Sequence, residues 1–360
     1  VVSTDPAGVE TIDQVVQLAA DSLEPGVHAW AAAGAGQEVT LARNSLALNS
    51  LALVPRVGRD VSTVDTSTRF MGIELGLPVV LAPVGALAIY DPGDALAAAE
   101  AATAAGTSAF CSMFTESSWA EVAVTAPGRH FLQVYVEGDR AWLGDVVRRA
   151  EELDFGGICM TLDSPVIGRR DRSLASGYRW GHSPGSSANY DEPPADPRHR
   201  AGFTWADLEW VCSQTSLPVV AKGIMSPEDA RAATASGARA VYVSNHGGRM
   251  VDHSLSTIEV LREIVEAVPS EIDVAVDSGF SRGAEVCKAI ALGANAVGIG
   301  RLQCWGLAAG GPAMLSRVLE ILRDEISKTM ANIGCRSLAD ITPDHVRWSI
   351  PASPPGGHVR

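Results

Sequence analysis

The chain has 360 residues, 46% of them hydrophobic, with a mean hydropathy of +0.12, enough apolar material for one large core or two smaller ones. Its 42 acidic residues against 28 basic ones leave a net charge of −14, which argues against a general nucleic-acid or anionic-membrane surface and favours a small-molecule enzyme. Six scattered cysteines without a C-x-x-C pair read as buried free thiols of a reducing compartment, and no uninterrupted apolar stretch approaches membrane-spanning length, so a cytoplasmic protein with no metal and no membrane partner is expected.

In chain order, residues 9 to 50 read as helices packed outside the main body, within an N-terminal helical extension reaching residue 75. From residue 78 onward short apolar runs alternate with amphipathic stretches, the signature of βαβ units. Candidate strands are Pro78–Val84, Thr107–Cys111, His130–Val134, Gly157–Thr161, Leu217–Ala221, Arg239–Val243, Asp273–Val276 and Ala296–Ile299. Helices are expected at Asp94–Ala105, Arg140–Leu153, Pro227–Ser236, Ser256–Ala267 and Gly283–Leu292, with Gly106, Gly237 and Gly293 as stop signals. Eight units predict a closed α/β structure, a (β/α)8 TIM barrel over residues 76–330, in one domain spanning the chain. An open doubly wound sheet would place G-x-G-x-x-G after its first strand, and none is there. The Ser-, Gly-, Pro- and Asp-rich stretch 172–202 reads as a long loop or lid after the fourth strand, and residues 331–360 as a closing segment with a Pro/Gly-rich, mobile tail.

In such a barrel, residues at the C-terminal ends of the strands converge on one mouth. Here they are Val84 and Gly85 after the first strand, Ser112 near the second, and Gln133 and Tyr135 around the third. Thr161, Asp163, Arg169 and Arg170 follow the fourth, Lys222 the fifth, Ser244, His246 and Arg249 the sixth, Asp277 and Gly279 the seventh, and Gly300 and Arg301 the eighth. The run Val243-Ser-Asn-His-Gly-Gly-Arg249 sets a base, a tight backbone and an anion clamp side by side. Singly, each has a bland reading: Arg169 and Arg170 as a solvated pair, Lys222 as a salt-bridge partner, Asp163 as a turn residue before Ser-Pro. Together they supply a general base, an orienting carboxylate, cations and a phenol, a set suited to removing a proton or hydride from an anionic substrate. The glycines of Asp277-Ser-Gly279 and Gly298-Ile-Gly300-Arg301, just before helices, form the expected phosphate cradle of a phosphorylated cofactor.

At these motifs the chain resembles the family of FMN-dependent α-hydroxy-acid oxidases and dehydrogenases, which includes glycolate oxidase, lactate oxidase and mandelate dehydrogenase. The resemblance runs from about Leu23 to His345 and includes Gly34-Ala-Gly36, Asn44, Gln133-Val-Tyr135, Thr161-Leu-Asp163-Ser-Pro, Gly168-Arg-Arg170, Lys222-Gly223, Ser244-Asn-His-Gly-Gly-Arg249 and Gly334-Cys-Arg-Ser-Leu338. It implies FMN as cofactor and oxidation of an (S)-2-hydroxy acid. His246 would be the base, Asp163 its orienting partner, Arg249 and Arg170 the carboxylate clamp, Tyr135 a hydrogen-bond donor near the reacting oxygen, and Lys222 a cation beside the flavin ring. It places Val84, Gly85, Ser112, Gln133, Thr161, Lys222 and Ser244 on the ring side, and Asp277, Gly279, Gly300 and Arg301 along the phosphate tail.

Three departures from the family pattern stand out: Trp30 where a tyrosine is usual, Ser281 in place of an arginine with Arg282 beside it, and Phe114 where tryptophan is usual. Trp30 implies an unusual substrate or a less tightly held carboxylate, while the apolar wall at Phe114, with Gly85 leaving room over the ring, favours a medium-sized or aromatic, mandelate-like substrate. Reoxidation by O2 is preferred over a soluble acceptor, and a homotetramer or larger assembly is expected. The competing readings are a soluble 2-hydroxy-acid dehydrogenase, another FMN barrel such as an isomerase or an inosine-phosphate dehydrogenase type, and a non-catalytic flavin-binding barrel.

Overall fold

The computed structural model describes residues 5–178, 189–190 and 196–350. Eight strands, β1 (Val79–Leu81), β2 (Phe110–Ser112), β3 (Phe131–Val134), β4 (Gly157–Thr161), β5 (Val219–Ile224), β6 (Ala240–Val243), β7 (Asp273–Val276) and β8 (Ala296–Ile299), form one sheet in the order β1-β8-β7-β6-β5-β4-β3-β2. Every pairing is parallel. The ends meet through a parallel bridge between Leu81 and Ala109, where Leu81 N donates to Ser108 O at 3.0 Å. The sheet is thus the expected barrel, and a helix follows each strand.

Local sequence accounts for the helices. Arg140–Glu152 starts where Asp139 accepts from Trp142 N at 3.0 Å, Pro227–Ala235 where Ser226 accepts from Asp229 N at 3.1 Å, and Thr257–Ala267 at the Ser256/Glu259 capping box. Thr257–Ala267 buries Ile258, Leu261 and Ile264, one stripe of an amphipathic helix laid on the barrel. The last helix, Arg301–Asn332, is broken at Gly310 and Gly311 ahead of Pro312, so its first turns stay at the mouth while the remainder packs outside against Ile12–Ser22.

Inside the barrel, period-two alternation stacks an apolar layer beneath a polar one. Phe110, Phe131, Cys159, Val220 and Ala275 belong to the inner cluster, and two residues further along each strand stand Ser112, Gln133, Thr161, Lys222 and Asp277. The lower end is plugged by the hairpin Thr68–Phe70 and Ile73–Leu75. Phe70 packs on Phe131 and Phe110 with ring centroids 6.0 and 6.4 Å apart, and Met71 N donates to Asp273 at the start of β7. The plug leaves the C-terminal end of the strands as the working face.

Several expectations needed correction. The expected strands Pro78–Val84 and Thr107–Cys111 are the shorter or shifted Val79–Leu81 and Phe110–Ser112, and β5 runs on to Ile224, so Lys222 lies inside a strand rather than beyond it. The N-terminal extension is helical only to Ser50. After it come Leu51–Leu53, paired antiparallel with Val346–Trp348, and the plug hairpin. That pairing ties residues 331–350 to the N-terminal segment. The stretch expected as a loop, 172–202, contains most of the short helix Asp171–Ala175 and all of Pro197–Ala201; residues 179–188 and 191–195, and the tail from residue 351, lie outside the described residues.

Candidate active site

A cavity of about 900 Å³ opens at the C-terminal ends of the strands. Of the residues singled out in the sequence, Trp30, Val84, Gly85, Phe114, Tyr135, Arg170, Lys222, His246, Arg249, Asp277, Gly279, Gly300 and Arg301 line it. Asp163 and Ser244 support that wall by hydrogen bonds to His246 and Lys222, and Ser112, Gln133 and Thr161 are buried beside it at the ends of β2, β3 and β4.

His246 has a left-handed backbone, φ +57°, a conformation uncommon for a residue with a side chain and held here by its neighbours. His246 N donates to Ser244 Oγ at 3.1 Å, Gly247 N to Ser278 Oγ at 3.0 Å, and Gly248 N to Asn245 Oδ1 at 3.0 Å. Asn245 in turn exchanges amide hydrogen bonds of 2.7 and 3.1 Å with Asn44 of the helix Val39–Ser50. The imidazole is fixed at both nitrogens: Nδ1 lies 3.0 Å from Asp163 Oδ1, and Nε2 lies 3.5 Å from the Tyr135 hydroxyl. Burial would raise the Asp163 carboxyl, but its interaction with His246 and the Lys222 ammonium outweighs that and holds it below its ordinary value. Burial, reinforced by Asp163, pushes the Tyr135 phenol up to about 12, so it is a proton donor at neutral pH.

Lys222 is buried, and its ammonium donates to Ser244 Oγ at 2.8 Å and faces Asp277 Oδ2 at 3.5 Å. Burial alone would pull it down; Asp277 and Asp163 outweigh that and keep it above the ordinary lysine value, a permanent cation in the barrel floor.

Three guanidinium groups sit close together at the mouth. Arg249 Nη1 donates to the carbonyls of Trp30, Ala31 and Ala33 at 3.1, 2.9 and 3.0 Å, and its guanidinium lies 5.2 Å over the Trp30 ring. Arg301 donates to the carbonyls of Ala31, Gly247 and Ala33, each at 3.0 Å. Both arginines thereby satisfy the exposed carbonyl end of the helix Pro25–Ala32. Burial and repulsion from Arg249 pull Arg170 down to about 10 and Arg301 down to about 9, still on the charged side of neutrality. Among the described residues no ion pair to a carboxylate neutralises Arg170, Arg249 or Arg301. Half-buried cations with no carboxylate partner among the described residues make the mouth a site for an anion.

The sequence reading missed two features of this wall. Arg200, on the short helix Pro197–Ala201, lies 4.5 Å over the Tyr135 ring and pairs with Glu137. The Asp-Pro pair signals the start of that helix, where Asp196 caps Arg198 N at 2.9 Å, but not where Arg200 lands. Phe114 also stacks on the phenol, with ring centroids 5.2 Å apart. Gly85 does not leave open room: an added Cβ would lie 3.2 Å from Phe114 Cβ, so the missing side chain is what admits Phe114. Trp30 faces Tyr178 edge-on at 6.2 Å.

The family model described as FMN-dependent dehydrogenase matches residues 19–348. The chain belongs to that family. It is 37% identical to glycolate oxidase 3 of Arabidopsis thaliana, over 95% of this chain and 98% of the relative, and 36% identical to glycolate oxidase of Spinacia oleracea, over 96% and 98%. Among solved structures it is similar to mandelate oxidase with benzoyl-formic acid, at TM-score 0.87 and 34% identity over 95% of this chain and 99% of that one. The same enzyme with (S)-2-phenylpropionate gives TM-score 0.87 and 36% identity over 95% and 99%. This FMN-dependent dehydrogenase family member is an oxidoreductase of the 2-hydroxy-acid oxidase type.

The residues present fit FMN at its ring end. Gln133 Nε2 and Thr161 Oγ1 are buried without a partner among the described residues, and a heteroaromatic edge of carbonyl and N–H groups offers what both lack. Ser112 Oγ donates to Gln133 Oε1 at 2.8 Å and so turns the amide N–H2 of Gln133 away from itself. Gly300 caps the helix Arg301–Asn332 without a side-chain hydrogen bond, and an added Cβ there would meet nothing within 4 Å, which leaves space beside a helix N-terminus.

Proposed function

We propose that this chain oxidises an (S)-2-hydroxy acid of medium size or with an aromatic side chain to the 2-oxo acid, with His246 as the base and O2 as the electron acceptor. The observation that carries the reading is the imidazole held between Asp163 and Tyr135 on the wall of a cavity where Arg170, Arg249 and Arg301 have no carboxylate partner among the described residues.

With Nδ1 committed to Asp163, Nε2 is the nitrogen open to a substrate proton, and the ionised Asp163 stabilises the imidazolium that results. Tyr135, protonated, donates to the oxygen at the reacting carbon. Arg170 and Arg249 hold the carboxylate; for Arg249 the carbonyls of Trp30, Ala31 and Ala33 fix one end of the guanidinium and aim the rest. Bound FMN supplies the two-electron acceptor that no side chain here offers. Lys222, Gln133, Thr161 and Ser112 would hold its ring edge, with Val84 and Gly85 against its face, and Gly279, Gly300 and Arg301 at its tail. The Lys222 ammonium favours negative charge on whatever it faces.

The substrate preference rests on the aromatic wall of Phe114, Tyr135, Trp30 and Tyr178, and on the phenyl-bearing ligands of the mandelate oxidase structures. Oxygen as acceptor follows the relatives reported above, which are oxidases. The test is anaerobic reduction of the yellow holoprotein by glycolate, lactate, 4-hydroxymandelate and each enantiomer of mandelate, followed by admission of air. Bleaching fastest with an (S)-aromatic acid and prompt recovery of colour in air are expected. No bleaching by any of the acids would end the proposal, and a bleached protein that stays reduced in air would replace oxygen by another acceptor.

A further inference from the structure

The tail end of the flavin cradle is built differently from its ring end. Glu285, in the first turn of Gly283–Ala291, lines the cavity, and its carboxylate accepts from Ser281 N at 2.6 Å and Arg282 N at 2.9 Å. The next N–H, that of Gly283, donates to Glu325 at 2.7 Å, and Arg282 Nε donates to the same carboxylate at 2.8 Å. The backbone donors and the arginine at this helix start are therefore already satisfied by carboxylates. Arg301 spends its guanidinium on three carbonyls. The same cavity wall carries the apolar Ile12, Val16 and Leu46 beside Ser45 and Asn49, so none of these side chains adds a positive charge.

From this we infer that the tail end is a weak phosphate anchor, so that the protein holds flavin mainly by the ring and prefers FMN to riboflavin by no more than one charge-assisted contact supplies. The inference rests on the ring lying beside Lys222 and Gln133. A charge-assisted hydrogen bond to phosphate is worth roughly 10- to 100-fold in affinity. Here the arginine usual at position 281 is a serine, and a dianionic phosphate would meet the Glu285 carboxylate across the same space. What remains for it is the open N-terminus at Gly300 and the charge of Arg301, whose N–H groups are turned to carbonyls.

The test is titration of the flavin-free full chain with FMN and with riboflavin, read by quenching of flavin fluorescence. The readout is the ratio of the two dissociation constants. The wild-type chain should prefer FMN by less than about 100-fold, the order of a single charge-assisted contact. Ser281→Arg should raise that preference about 10-fold or more by tightening FMN alone. Glu285→Gln, which keeps an oxygen to accept from the backbone but removes the charge, should raise it in the same direction and carries the test if the arginine variant fails to fold. A wild-type preference beyond about 100-fold, or a ratio unmoved in both folded variants, would overturn the inference. Gln133→Leu should weaken both flavins equally; binding of either flavin unaffected by that change would sink the ring placement instead.

Discussion

At the scale of single residues, the distances assign distinct consequences to neighbouring changes. His246→Ala removes the proton acceptor while Lys222, Gln133 and Thr161 stay in place. The variant is expected to purify yellow and to lose about 10²- to 10⁴-fold in the rate of anaerobic reduction, as measured by stopped-flow absorbance. Reduction at the wild-type rate would remove His246 from the chemistry. Arg249→Lys puts a point charge where a planar fork is braced on three carbonyls. Its KM should rise about 10-fold or more with a smaller change in kcat, because capture of the carboxylate is lost before the transition state is reached. An unchanged KM would show that Arg249 serves only to brace the helix Pro25–Ala32.

At the scale of elements, the site depends on backbones packed too closely for side chains. Gly223 in β5 has φ +106°, and an added Cβ would overlap Asp163, so the glycine is what lets the carboxylate reach the imidazole. Gly223→Ala should displace Asp163 and slow reduction while flavin binding persists; a crystal structure of the variant with the 3.0 Å His246–Asp163 contact intact and normal turnover would refute this. Gly298 in β8 is constrained in the same way, since a Cβ there would run into the Tyr242 hydroxyl. The plug hairpin is a structural counterpart. Phe70, fully buried against Phe110 and Phe131, should cost about 3–5 kcal/mol when cut to alanine, measured by urea denaturation, with little effect on flavin affinity because it lies at the opposite end of the barrel.

For the whole molecule, acid sensitivity follows from one buried imidazole outside the site. His130 Nδ1 accepts from Ala109 N at 3.1 Å, beside the β1–β2 closure, and Nε2 contacts Thr125 and Thr103 at 2.9 and 3.1 Å. Burial, with a smaller push from Arg129, lowers it from 6.5 to about 4. Between those values the unfolded chain binds the proton and the folded one does not. The stabilisation is therefore complete above about pH 6.5 and is lost as pH falls towards 4, by up to about 3 kcal/mol at the standard 1.36 kcal/mol per unit. Denaturation midpoints across that window should fall for the wild type and flatten in His130→Asn; equal slopes for both would assign the acid limb to other groups. The described helices add nothing for a bilayer, since none is long and apolar enough to cross one.

Much of this molecule was legible in order along the chain. Short apolar runs, capped helices and their glycine stops predicted eight units, and strand ends named most of the mouth, because alternation and capping act over a few residues and leave a local record. Lys222 sat inside β5 because the ladder continues past Ala221, where Leu162 N takes the Lys222 carbonyl at 2.9 Å, a partner 60 positions earlier. Arg200 on the Tyr135 ring, the carbonyls of residues 30 to 33 gripping Arg249 and Arg301, and the hairpin under the barrel left no such record. Each depends on where a distant segment lands. Residue types and their spacing thus determined the barrel and the chemical inventory, whereas only the tertiary structure decided which cations are braced, which carboxylates fill the tail end and which polar atoms still need a partner, since charge and hydrogen bonding act through space.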